Sequence, residues 1–133
     1  MKLFLASLLL LAPLAACAGS TVPKLSPAEA ARLVDAGQAV LVDVREPDEW
    51  AESGVAAPAV LLAKSDFDGA QAQWKPFLEQ HRDRTLILYC RSGRRADVVG
   101  AALAQQGFTV ANAGGFAAWK DAGLPVRAAP AQP

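Results

Sequence analysis

Thr85-Leu86-Ile87-Leu88-Tyr89-Cys90-Arg91-Ser92-Gly93-Arg94-Arg95 is the stretch that decides the fold. Its first five residues form an apolar run too short for a helix and rich in strand formers, the pattern of a strand buried on both faces of a parallel sheet. The run breaks at a thiol, then at small and cationic residues. From Arg94 to Gln106 the apolar residues Ala96, Val98, Val99, Ala102 and Leu103 fall at helical spacing, and Gly107 ends the pattern. A strand, a tight loop and a helix therefore follow one another, with Cys90 at the point where strand gives way to helix.

Outward from this unit the chain alternates in the same way. Upstream, Ser26-Pro27-Ala28-Glu29 carries a capping Ser, Pro at the first helical position and Glu three residues after the cap, and Gly37 closes the helix it opens. Ala39 to Val44 is a second buried-strand run, followed by a polar loop and a short helix around Glu46 to Glu52. Val60 to Leu62 is a weaker strand, and residues from about Gly69 to Gln80 read as a helix. Downstream, Phe108 to Ala111 reads as a short strand, and Gly114-Gly115 turns into a last helix through Lys120. Strands alternating with helices imply an α/β fold with a mostly parallel sheet.

The 133 residues fit one domain, and an apolar fraction of 53% is ample for its core. Thirteen basic residues balance thirteen acidic ones, so no global field selects nucleic acid, and any preference for anions must be local. One His and one usable Cys cannot build a four-ligand zinc site, so neither metal nor cofactor is expected. That histidine, His81, sits in the polar run Glu79 to Asp83 and reads as a surface residue rather than a base.

The N-terminus departs from the globular pattern. Lys2 is followed by a nearly wholly apolar run from Leu3 to Leu14, the layout of an export signal and too short to span a bilayer. Leu14-Ala15-Ala16-Cys17 resembles the lipobox of bacterial lipoproteins, which implies acylation of Cys17 and an anchor on the periplasmic side of a membrane. Ordinary cleavage after Ala18, leaving a soluble periplasmic protein, is the alternative. The expected organisation is a signal peptide over 1–16, a tether over 17–25, a domain over 26–126 and a loose tail over 127–133.

Cys90 then stands as a lone thiol in an exported, oxidising compartment, which asks for a chemical reason. Amides at a helix N-terminus lack intrahelical partners and, with the helix dipole behind them, form a cradle for a negative group. Arg91, Arg94 and Arg95 add positive charge, and the setting favours a sulfur anion, the nucleophilic form.

Three separated motifs now resemble single-domain rhodaneses: Leu41-Val42-Asp43-Val44-Arg45-Glu46-Pro47-Asp48-Glu49-Trp50, Tyr89 to Arg95, and Gly114-Gly115-Phe116-Ala117-Ala118-Trp119. The resemblance covers about Ser26 to Val126. It implies a rhodanese-like three-layer fold, with a central, mostly parallel, five-stranded sheet and helices on both faces. It implies a sulfurtransferase in which Cys90 takes sulfane sulfur from a donor such as thiosulfate, becomes a persulfide and passes the sulfur to a thiophilic acceptor such as cyanide or a thiol.

By the same resemblance, the loop Arg91, Ser92, Gly93, Arg94 and Arg95 binds substrate. Its amides hold the persulfide, the Arg95 fork orients an anionic donor, and Arg91 and Arg94 steer anions from the rim. Asp43 and Arg45 are expected to support the site structurally, and Phe116, Trp119, Trp50 and Trp74 to pack the core. One departure is visible: where the family continues with Gly-His-Ile after Glu52, this chain has Ser53-Gly54-Val55-Ala56-Ala57-Pro58. The expected partners are small sulfur-containing anions, thiol acceptors and the membrane.

Two other classes use the same residues. A persulfide carrier or redox-sensing module would exchange sulfur only with a protein partner. A phosphatase or arsenate reductase would place Arg six positions after the Cys, where this chain has Ala96.

Overall fold

The computed structural model describes residues 21–131, so the expected signal segment, the lipobox and Cys17 lie outside the described residues. The elements run α1 (Pro27–Asp35), β1 (Ala39–Asp43), α2 (Pro47–Ser53), β2 (Val55–Ala56), β3 (Val60–Leu61), α3 (Lys64–Asp68), α4 (Trp74–Gln80), β4 (Thr85–Cys90), α5 (Arg94–Gln105), β5 (Val110–Gly115), α6 (Phe116–Asp121) and β6 (Val126–Arg127). The capping box of α1 is formed: Ser26 Oγ accepts from the Glu29 amide at 3.2 Å, and the Glu29 carboxylate accepts from the Ser26 amide at 3.2 Å.

The main sheet has the order β3-β1-β4-β5, all parallel. Four strands stand where five were expected. The fifth position, beside β5, is taken by a single parallel bridge at Lys24. Pro23 accepts from the Asn112 amide at 2.8 Å, and the Leu25 amide donates to the Asn112 carbonyl at 2.9 Å. Residues 21–25, expected as part of a tether, are therefore docked on the sheet edge. Pro23 has no amide to donate, which limits pairing to this one bridge. Val22 is buried over Gly100, where an added Cβ would come within 3.1 Å of a Val22 methyl.

Alternation along each strand builds the two flanking layers. Leu41, Ile87, Tyr89 and Ala111 face α1 and α6 with Ala30, Phe116 and Trp119. Val42, Leu86, Leu88 and Cys90 face the other side, packed with Phe67, Trp74, Phe77, Val99 and Leu103. The α/β three-layer architecture follows from this, with parallel strands that all end at the edge bearing Asp43 and Cys90.

Several boundaries differ from those expected, and β5 runs over Val110–Gly115 where Phe108 to Ala111 was expected. The helix anticipated from about Gly69 to Gln80 starts only at Trp74, as α4, where the Asp66 carboxylate accepts the amides of Ala72, Gln73 and Trp74 at 2.9, 3.0 and 3.2 Å, and a separate short helix, α3, precedes it over Lys64–Asp68. Arg127, expected in the tail, pairs with Val55 in a small antiparallel β2–β6 ribbon, and its guanidinium donates to the Ala57 and Ala59 carbonyls at 2.9 Å each.

Candidate functional site

Cys90 ends β4 one position after the pairing with β5 shifts register. Gly93 holds φ of 91°, a left-handed conformation that glycine adopts without strain, and this turns the chain into α5 in three residues. The turn brings the Gly93 amide to 3.1 Å from Cys90 Sγ, as donor. Sγ thus lies at the N-terminal end of a twelve-residue helix, where unpaired amides and the helix dipole favour negative charge.

Two groups hold this loop from beneath. Asn112, buried in β5, donates from Nδ2 to the Gly93 carbonyl and to Asp97, both at 2.8 Å, and accepts on Oδ1 from the Gly114 amide at 2.8 Å. Lys24 pairs with the same Asp97, and these two contacts, Lys24 first, lower the Asp97 pKa. Gly115 lies against the loop's first peptide: a Cβ there would stand 2.4 Å from the Arg91 carbonyl oxygen.

A buried polar network closes the floor. Arg45 reaches the Asp43 carboxylate through Nε at 3.0 Å and through a terminal nitrogen at 2.7 Å, with both side chains almost wholly buried. Burial opposes the Arg45 charge, and the neighbouring carboxylate more than offsets it, so the Arg45 pKa is raised. The remaining Arg45 N–H groups donate to Ser53 Oγ and the Gly54 carbonyl, both at 2.8 Å. The segment Ser53-Gly54, where the family's Gly-His-Ile is missing, thus meets Arg45. The Arg45 guanidinium also stands 4.3 Å from the Phe116 ring centre. Tyr89 Oη accepts from the Ala56 amide at 3.0 Å, and burial pushes that phenol well above its ordinary pKa.

The three loop arginines are separated by the fold. Arg91 is exposed and lines an open cleft of about 320 Å³ with Arg45, Glu49, Phe116 and Lys120. Ser92 and Arg94 are exposed on the other side of the loop, near Lys24 and Asp97. Arg95 is paired: its two terminal nitrogens donate to the two oxygens of Glu49, at 2.7 and 2.8 Å. The pairing holds Glu49 at a pKa of about 2, chiefly through Arg95, against the opposing effect of partial burial. It also raises the Arg95 pKa, with a smaller contribution from Cys90.

Sequence reasoning missed Glu49, Asn112 and Gly115 as site residues. A single amide in the apolar run Val110 to Ala113 was the available signal for Asn112; nothing local marks Glu49 as the partner of a residue 46 positions away. Trp50, Trp74, Phe116 and Trp119 are buried, while His81 is half-buried, stacked on Phe77 at 4.2 Å and bonded through Nδ1 to the Phe77 carbonyl at 2.7 Å. Among the described residues no group of three metal-ligating side chains assembles, and no helix is long and apolar enough to cross a membrane.

Comparison with known proteins agrees with this geometry. A sulfurtransferase of Allochromatium vinosum is 36% identical over 97 residues, spanning 71% of this chain and 84% of that protein. The 30 kDa polysulfide-sulfur transferase homodimer of Wolinella succinogenes superposes with a TM-score of 0.64 at 26% identity, over 80% of this chain and 78% of that one. A Rhodopseudomonas palustris protein of unknown function, described as a possible tyrosine phosphatase, superposes at 0.67 with 25% identity, over 80% and 85% of the two chains. The model of the rhodanese-like domain matches residues 26–122, which with the Cys90 loop on its α/β scaffold makes this chain a member of the rhodanese-like domain family.

Proposed function

We propose that the protein is a sulfurtransferase in which Cys90 carries sulfane sulfur as a persulfide. The observation that carries this reading is the placement of Cys90 Sγ at the N-terminus of α5, with the Gly93 amide donating to it. In the first half-reaction the Cys90 thiolate attacks the outer sulfur of thiosulfate, and the S–S bond of the donor breaks with its electron pair leaving on sulfite. In the second, cyanide or a thiolate attacks the terminal sulfur of the persulfide and the Cys90 thiolate leaves. Covalent catalysis of this kind splits one transfer into two easier ones, and the amide cradle stabilises the anionic sulfur in both. The relatives named as sulfur transferases support the reading.

The test is intact mass before and after thiosulfate, followed by cyanide with thiocyanate release monitored. One sulfur atom gained on Cys90 and removed over many turnovers is the expected result. A gain that cyanide does not remove would favour a carrier awaiting a protein partner. A phosphatase reading gains nothing from the loop, since the sixth residue after the thiol is the fully buried Ala96.

Export and acylation at Cys17 belong to the same proposal and rest on the sequence from Lys2 to Cys17. The protein is then anchored by lipid on the periplasmic side of a bacterial membrane. Incorporation of labelled fatty acid, lost in Cys17→Ala, is the expected outcome.

A further inference from the structure

Arg95 stands close enough to Cys90 to be coupled to it, yet its two terminal nitrogens are already occupied by a carboxylate. Glu49 is itself held in place: its Oε2 also accepts from the Glu46 amide at 2.9 Å, as part of the box that opens α2. About a quarter of each partner's side chain is exposed, so the pair is neither free in water nor sealed. A bidentate guanidinium–carboxylate pair presents to an incoming anion the same two donors that a sulfonate would use, already filled. The cleft beside it is lined by Arg91, Lys120 and Glu52 as well as Glu49, with Arg45 engaged by Asp43.

We propose that Glu49 is a specificity-determining residue that biases the Cys90 site against dianionic sulfur donors and toward monoanionic ones. This rests on the sulfurtransferase reading and names the donor class for that site. A donor with two negative charges must approach the fixed Glu49 carboxylate and compete with it for Arg95. A donor with one charge meets half that repulsion. Thiosulfate and methanethiosulfonate are suited to the comparison, because one oxygen anion of the first is a methyl group in the second. In each case Cys90 thiolate bonds to the outer sulfur, the donor's S–S bond breaks, and the electron pair leaves on sulfite or on methanesulfinate. Charge balances without any further reactant.

The experiment measures kcat/KM for both donors, with cyanide saturating, in the full chain and in Glu49→Gln. The ratio of thiosulfate to methanethiosulfonate is expected to rise by about tenfold in Glu49→Gln, roughly the effect of one unit charge at a partly exposed site. An unchanged ratio, with both donors falling together, would show that Glu49 only positions Arg95 and would overturn the proposal. Should Glu49→Gln fail to fold, Glu49→Ala removes the same charge. It is expected to shift the ratio in the same direction, and an unchanged ratio there overturns the proposal as well. Absence of sulfur on Cys90 from either donor would instead defeat the sulfurtransferase reading on which this depends.

Discussion

At Cys90 the thiol and its amide cradle are one local unit, so the side chain can be changed without disturbing what holds it. Cys90→Ser should fold normally and take up no sulfur, as read by intact mass and thermal melting, because the change is nearly isosteric and the Gly93 amide keeps an acceptor. Gly115 behaves oppositely. A methyl group there would meet the Arg91 carbonyl at 2.4 Å, backbone against backbone, so Gly115→Ala should cost about 2–3 kcal/mol in urea unfolding and displace the loop. Asn112→Leu should cost a similar amount, about 2 kcal/mol, since it leaves the Gly93 carbonyl and the Gly114 amide without their buried partner. Its sulfur transfer should fall more than that of an equally destabilised core variant.

Elements carry their own signatures. The capping box of α1 is exposed and local, and Ser26→Ala should cost about 1 kcal/mol with no effect on sulfur loading. An ion pair, Glu49 with Arg95, links α2 to α5, and it sets an acid limit on stability. Glu49 has a pKa of about 2 in the fold against an ordinary 4.5, so its contribution is fully present above pH 4.5 and is lost as pH falls from there toward 2. With both partners about a quarter exposed, that contribution is on the order of 2 kcal/mol. In Glu49→Gln the corresponding segment of the unfolding-against-pH curve should flatten.

For the whole molecule, the sheet edge beside β5 depends on the segment before α1. Val22 fills the space over Gly100, and Pro23 and Leu25 satisfy both backbone groups of Asn112, the residue whose side chain holds the Cys90 loop. Chains beginning at residue 26 should therefore melt lower than chains beginning at residue 21, by several degrees, and should lose activity in parallel. A tether without structural contribution would leave both unchanged. The six residues between Cys17 and Lys24, seven Cα–Cα steps, allow at most about 25 Å between a lipidated Cys17 and the docked edge, so an anchored protein would hold its domain close to the bilayer.

The sequence by itself determined the parts whose causes are local. Buried strands announce themselves as short apolar runs, as at Ala39 to Val44 and Thr85 to Tyr89. The α1 box is written in four consecutive residues, and the thiol between strand and helix needs only Tyr89 to Arg95 to be recognised. Tertiary structure decided everything that depends on residues far apart in the chain. It reduced the fifth strand to one bridge at Lys24, because pairing there needs the Asn112 edge and Pro23 limits its length. It moved the start of the helix expected from about Gly69 to Trp74, where Asp66 reaches forward to three amides. It also set Glu49 on Arg95, because opposite charges on separate elements find each other only when the fold brings them within 3 Å.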